Sequence, residues 1–142
     1  MPIMKRLTDG IIQFFHSQHF VVVATVEENG YPHSSCKDIV DINKNGSIAL
    51  LDLYKGETYR NLQKNPRISI TAVNEHRFIG YSLKGKARII KKNKLKPNLI
   101  TAWNDRITNR ITHRFLKNIR GEKGHPRHPE VLLPKPEYLI LM

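Results

Sequence analysis

Cysteine is almost missing from this chain of 142 residues, with Cys36 the single example. One thiol cannot build an internal disulfide framework, so the sequence suits a reducing compartment. Long apolar runs are missing too. The segment "FVVVATV" is strand-sized, and no stretch approaches the length a membrane-spanning helix needs. The first residues, "MPIMKRLTDG", have no extended apolar segment behind their basic pair and do not read as a secretory signal. The expectation is a cytoplasmic protein of one domain, residues 1–142, with no membrane partner. The signatures of several function classes are lacking as well. No G-x-G-x-x-G or Walker sequence supports a dinucleotide or nucleotide loop. The seven histidines are scattered without the spacing of a zinc site, so no metal is expected. Ser34, Ser35 and Cys36 adjoin one another but lie in no nucleophile-elbow motif, and no catalytic residue is assigned.

Acidic residues are scarce, and this scarcity is uneven. Lys and Arg number 24 against 12 Asp and Glu, a formal charge of +12. From Lys84 to Arg127 the only acids are Asp105 and Glu122. A tract so basic is most simply a solvated face, but it also attracts phosphates, nucleic acid or an acidic protein. Tyr81, Trp103 and Phe115 stand nearby, and stacking on aromatics is how small barrels hold single strands. Against this, no RNP-like or GXXG-like motif occurs. Phe115 also follows Ile107 and Ile111 at four-residue spacing, which assigns it to the apolar face of a helix.

What is present is mainly β. Residues 6–17 space Leu7, Ile11, Phe14 and Phe15 as a helix behind Thr8 or Asp9 as its cap. "VVVATV", "HSSCKDIVDI" and "SIALLDL" read as three strands separated by the turn signals "EENG" and "NKNG". The third is apolar enough to be buried on both faces. A short helix follows, stopped by Asn65-Pro66 because proline bars the preceding residue from helical geometry. Leu62 is its one strongly apolar residue and hence its anchor. "RISITAV" is a fourth strand and "RFIGYSLKGKARII" a fifth. A basic loop from Lys91, a helix from Ile100 to Ile119 and a final strand complete the chain. Pro134 and Pro136 place that last strand at a sheet edge. The order is a meander with one inserted helix, as in a small closed or partly closed barrel.

The inserted helix is unusual because its first turn carries Lys55, Gly56 and Thr58 around backbone N–H groups that an anion could satisfy. A plain cap with a turn glycine explains those residues equally well. The wider pattern adds to them. "VVVATVEENGYPHSS", "IALLDLYKGETYRNLQKNPRISI" and "GYSLKGKARII" occur in order. Together they make the chain resemble the pyridoxamine 5'-phosphate oxidase-related, FMN-binding split β-barrel family over about residues 5–90. The basic C-terminal region, 91–142, carries no part of the resemblance.

The resemblance implies a homodimer that binds FMN in each of two clefts between subunits. Ser35, Cys36 and Lys37 would run along the flavin ring and ribityl chain, and Leu51 and Asp52 would contact the ring. Thr58 and Asn61 would flank the phosphate. Many relatives place Lys or Arg just before that threonine, where this chain has Glu57, so Lys55 or Lys37 would have to supply the cation. The implied activity is flavin-dependent oxidoreduction of a small substrate. The alternative is a non-enzymatic barrel with a weak or vestigial flavin site, binding nucleic acid or an acidic partner through its basic tract.

Overall fold

A computed structural model describes residues 6–52, 56–119 and 138–142. Helix α1 (Asp9–His16) starts at Thr8, whose Oγ1 accepts the Ile11 N–H at 3.3 Å, and buries Phe14 and Phe15. The β-branched run forms β1 (Val21–Val26), with Val21, Val23 and Thr25 turned inward. The "EENG" and "NKNG" turns then join β1 to β2 (Pro32–Ile42) and β2 to β3 (Ile48–Leu51). Each turn places its glycine at positive φ, +88° at Gly30 and +89° at Gly46, where other residues are strained. Helix α2 (Glu57–Lys64) ends where Asn65 adopts an extended conformation before Pro66. β4 (Arg67–Asn74), β5 (Ile79–Lys86), β6 (Arg88–Lys91), α3 (Pro97–Ile119) and β7 (Tyr138–Leu141) follow.

The seven strands form one antiparallel sheet in the order β5-β4-β1-β2-β3-β7-β6. β2 is the strand shared by its two halves. Its first residues pair with β1 and its last with β3, with a register shift between Ile39 and Asp41. Such a shift bends a strand and lets the sheet curl. Inside the curl lies the main core, built on Phe15, Val23, Leu50, Ile70 and Ile140. A second cluster, with Val40, Ala49, Leu51 and Leu139 around Trp103, fills the space between the other face and α3. β3 is therefore covered on both sides, which accounts for its unbroken apolar run. α2 packs against β1, β2 and β6 on the inner side, across the gap between the two halves. This is the split barrel that the element order suggests.

Four expectations are corrected. "RFIGYSLKGKARII" forms two strands: β5 pairs with β4 and β6 with β7. Between them the Ala87 N–H donates to the Pro66 carbonyl at 2.7 Å, and the chain crosses from one sheet half to the other. β7 is not an edge strand but lies between β3 and β6. The paired residues 138–141 contain no proline, so every N–H there can join a ladder; Pro134 and Pro136 fall outside the described residues. α3 begins at Pro97 rather than Ile100, because proline costs nothing in a first helical turn whose N–H has no partner. Phe115 is 63% exposed and not a core residue, while Ile107 does pack on the second cluster. Among the described residues, no helix is long and apolar enough to cross a membrane.

Candidate functional site

Along β2 the side chains alternate. His33, Ser35 and Lys37 face inward toward α2, while Ser34 and Cys36 are exposed on the opposite face. Across from Cys36 on β1 stands Val22, itself exposed. The first turn of α2 lies over the inward set. Ser35 Oγ and Thr58 Oγ1 share a hydrogen bond of 2.8 Å, and Asn61 Nδ2 donates to Thr25 Oγ1 at 3.0 Å. Thr58, Asn61 and Leu62, at i, i+3 and i+4, form the buried stripe of the helix. Leu62 anchors α2 as its apolarity suggests, but two polar residues share that work and are satisfied only because β1 and β2 offer hydroxyls. The helix N-cap is Gly56, which has no side chain to cap the first-turn N–H groups. Hydroxyls and backbone N–H groups thus meet at one point on the barrel wall.

The outer rim of this point is paired charge. Glu57 is held by Arg60 at 3.0 Å, and that hydrogen bond lowers its pKa below the usual carboxylate value. Lys64 reaches Glu28 at 2.7 Å, and His33 Nδ1 lies 3.8 Å from Glu27. The negative charge of Glu57 is therefore partly neutralised within its own helix turn. Lys55 lies outside the described residues.

Further along β2 is a second, buried constellation. Lys37 Nζ contacts Asp52 Oδ1 at 2.6 Å, and the Tyr138 hydroxyl donates to Asp52 Oδ2 at 2.6 Å. Asp52 directly follows β3, and Tyr138 opens β7 in the neighbouring strand. Burial, reinforced by the hydrogen bond to Asp52, pushes the Tyr138 phenol well above its ordinary pKa, so it remains a donor. Its ring meets that of Tyr59 from α2 at 5.0 Å in an edge-on arrangement.

The residues singled out in the sequence thus divide by face. Ser35, Thr58 and Asn61 assemble at α2, and Lys37 and Asp52 join two residues along the same strand face. Leu51 turns its side chain to the Trp103 cluster, leaving only its backbone on the site side. Cys36 points away. Thr25 and Tyr138 were missed, although each is a hydroxyl residue at an inward position of an otherwise apolar strand. Of the aromatics beside the basic tract, Trp103 is buried and cannot stack on a base, Tyr81 packs edge-on against Phe14 at 4.9 Å while remaining partly exposed, and Phe115 is exposed. Among the described residues no group of His, Cys, Asp or Glu could hold a metal ion.

Comparison with known proteins bears on the same region. The family model for pyridoxamine 5'-phosphate oxidase matches residues 7–133. HupZ of Group A Streptococcus superposes with a TM-score of 0.63 at 19% identity, over 96% of this chain and 87% of that one. A pyridoxamine 5'-phosphate oxidase-related, FMN-binding protein of Nostoc punctiforme gives 0.60 at 16% identity, over 93% and 74%. HutZ, the heme storage protein of Vibrio cholerae, gives 0.53 at 19% identity, over 96% and 87%. No curated protein matches the sequence. At these identities the structural likeness establishes the fold.

Proposed function

Because the chain belongs to the pyridoxamine 5'-phosphate oxidase family, we propose that it binds FMN over the inner face of β2 and acts as a flavin-dependent oxidoreductase on a small substrate. The observation that carries this reading is the Ser35–Thr58 hydroxyl pair at the first turn of α2, beside an N-cap glycine. A phosphate monoester is a near-dianion that needs several N–H and O–H donors, and a helix N-terminus favours its charge. Those residues fit the group. Ser35, Thr58 and the backbone near Gly56 would hold the phosphate, with Asn61 fixing the helix and Lys55 close in sequence. Lys37 and Asp52, with the backbone of Leu51, would border the ribityl chain and ring, and Cys36 would act only through its backbone. When bound, the flavin supplies the electron chemistry. The protein supplies donors, orientation and an ammonium on the ring side. The FMN-binding relative in Nostoc supports this choice of ligand.

The test is a fluorescence titration of purified protein with FMN and with riboflavin. FMN is expected to bind at least about tenfold more tightly, since one charge-assisted hydrogen bond is worth about 1.5–3 kcal/mol. Equal affinities would remove the phosphate site. Hemin titrated under the same conditions provides the contrast that the heme-storage relative suggests; tight hemin binding without FMN binding would overturn the proposal.

The proposal includes a homodimer in the cytoplasm. Phe20, Val22 and Val73 are exposed, with Val22 and Val73 on the outward face of β1 and β4, where a second copy would cover them. Cys36, a lone exposed thiol, suits a reducing compartment. Sedimentation at micromolar protein is expected to give twice the 16.5 kDa chain mass. A monomer that still holds FMN would contradict a cleft shared between subunits.

A further inference from the structure

Lys37 follows Ser35 by two residues on the same face of β2, a spacing of about 6.5–7 Å along a strand. A flavin whose phosphate is held by Ser35 and Thr58 would lie with the rest of the molecule beyond that point, and Lys37 is the cation that the strand presents next. Its ammonium is not free to wander. Asp52 holds it at 2.6 Å, and the Tyr138 hydroxyl occupies the other carboxylate oxygen, so the carboxylate is fixed from both sides. The order of burial matters. The Lys37 side chain is 13% exposed and that of Asp52 only 1%, so a ligand lying over β2 meets the positive member of the pair first. One N–H of the ammonium is used by Asp52, leaving two donors for a ligand.

We propose that Lys37, positioned by Asp52 and Tyr138, sets the reduction potential of the bound flavin. This rests on the FMN reading above. Two electrons and one proton convert the oxidised ring to its anionic hydroquinone; the proton goes to N5, and the negative charge spreads over N1 and the C2 carbonyl oxygen. A fixed ammonium beside that charge stabilises the reduced ring more than the neutral oxidised one, which raises the potential. Asp52 and Tyr138 act on the potential as positioning residues, by holding the Lys37 ammonium in place.

The experiment is an equilibrium dithionite titration of the FMN-loaded protein against a reference dye, alongside the affinity for oxidised FMN. Two variants are compared with the natural protein. Lys37→Gln combined with Asp52→Asn removes both charges while keeping side chains of similar size, so no charge is left buried alone. Lys37→Arg keeps the cation. The double variant is expected to weaken reduced flavin at least tenfold more than oxidised flavin. For a two-electron couple this is a fall of about 30 mV. Lys37→Arg is expected to stay near the natural potential. A double variant that binds both redox states equally less tightly, with its potential unchanged, overturns the assignment and leaves the pair a structural one. Failure of the natural protein to bind FMN at all would instead remove the FMN reading, and this assignment with it.

Discussion

Lys37→Met is expected to lower folding stability by about 3–5 kcal/mol, the usual cost of removing one partner from a buried ion pair. Asp52 is almost wholly enclosed between β2, β3 and β7, and among the described residues Lys37 is the cation that pairs with it. The Tyr138 hydroxyl stays in place, but one neutral donor does not offset the desolvation of a carboxylate. A chain of this size loses roughly 3 °C of melting temperature per kcal/mol, so the drop is about 10 °C or more. Urea denaturation followed by far-UV circular dichroism measures it directly. Replacing both partners, Lys37→Met with Asp52→Leu, is expected to recover most of the loss, since an apolar pair of similar volume removes the stranded charge. Part of the loss remains, because Tyr138 then lacks its acceptor. A single variant within 1 kcal/mol of the natural protein would show that Asp52 finds water or another donor, against the enclosed geometry.

The second large effect belongs to Arg106, which fastens α3 to the sheet. Its guanidinium makes three contacts of 2.7–3.1 Å with the two oxygens of Asp38 on β2 and a fourth, at 2.9 Å, with the Gln18 carbonyl after α1. The Asp38 side chain is 9% exposed and that of Arg106 23%, so the bonds lie largely out of water. Arg106→Met is expected to cost about 3 kcal/mol, at the lower end of the range for a broken buried pair. The loss should fall on α3 before the rest of the fold. Trp103, the single tryptophan, is buried on that helix between Val40, Leu51 and Leu139. Its emission is expected to shift to the red at a urea concentration below that at which the β signal is lost. Coincident transitions would show that α3 and the barrel unfold as one unit and that Arg106 is no separate fastening. Asp38→Asn keeps an acceptor for the guanidinium and should be milder.

Local chemistry was readable from the chain alone. The β-branched run marked β1, and glycine at the two hairpin turns marked positions that the structure holds at positive φ. Thr8 capped α1, and Pro66 ended α2 at Asn65. These signals lie within a few residues of what they determine, so no knowledge of neighbours in space was required. The order of motifs from "VVVATV" to "GKARII" carried the family for the same reason, being written along the chain. The polar partners of α2 were half legible: Thr58 and Asn61 stood in a motif, but the hydroxyls they bond, on Ser35 and Thr25, lie 23 and 36 residues away.

What the chain could not state was which strand lies beside which. β7 enters between β3 and β6, one strand in from the sheet's edge, because each of them presents a ladder to it, a fact about the assembled halves and not about "YLIL". That placement brings Tyr138 to Asp52 across 86 residues and gives the buried carboxylate its second donor. The break at Ala87 has the same origin, since "GKARII" continues one extended pattern while its partners change from β4 to β7. Phe115 fits an apolar helical stripe by spacing, but α3 outruns the apolar surface that covers it, and the residue is left in solvent. The sequence by itself determined the local conformations, the turns and the family. Tertiary structure decided the strand neighbours, the direction of Cys36 away from α2 and the Lys37–Asp52–Tyr138 network, because burial and long-range hydrogen bonds exist only once distant segments share one wall.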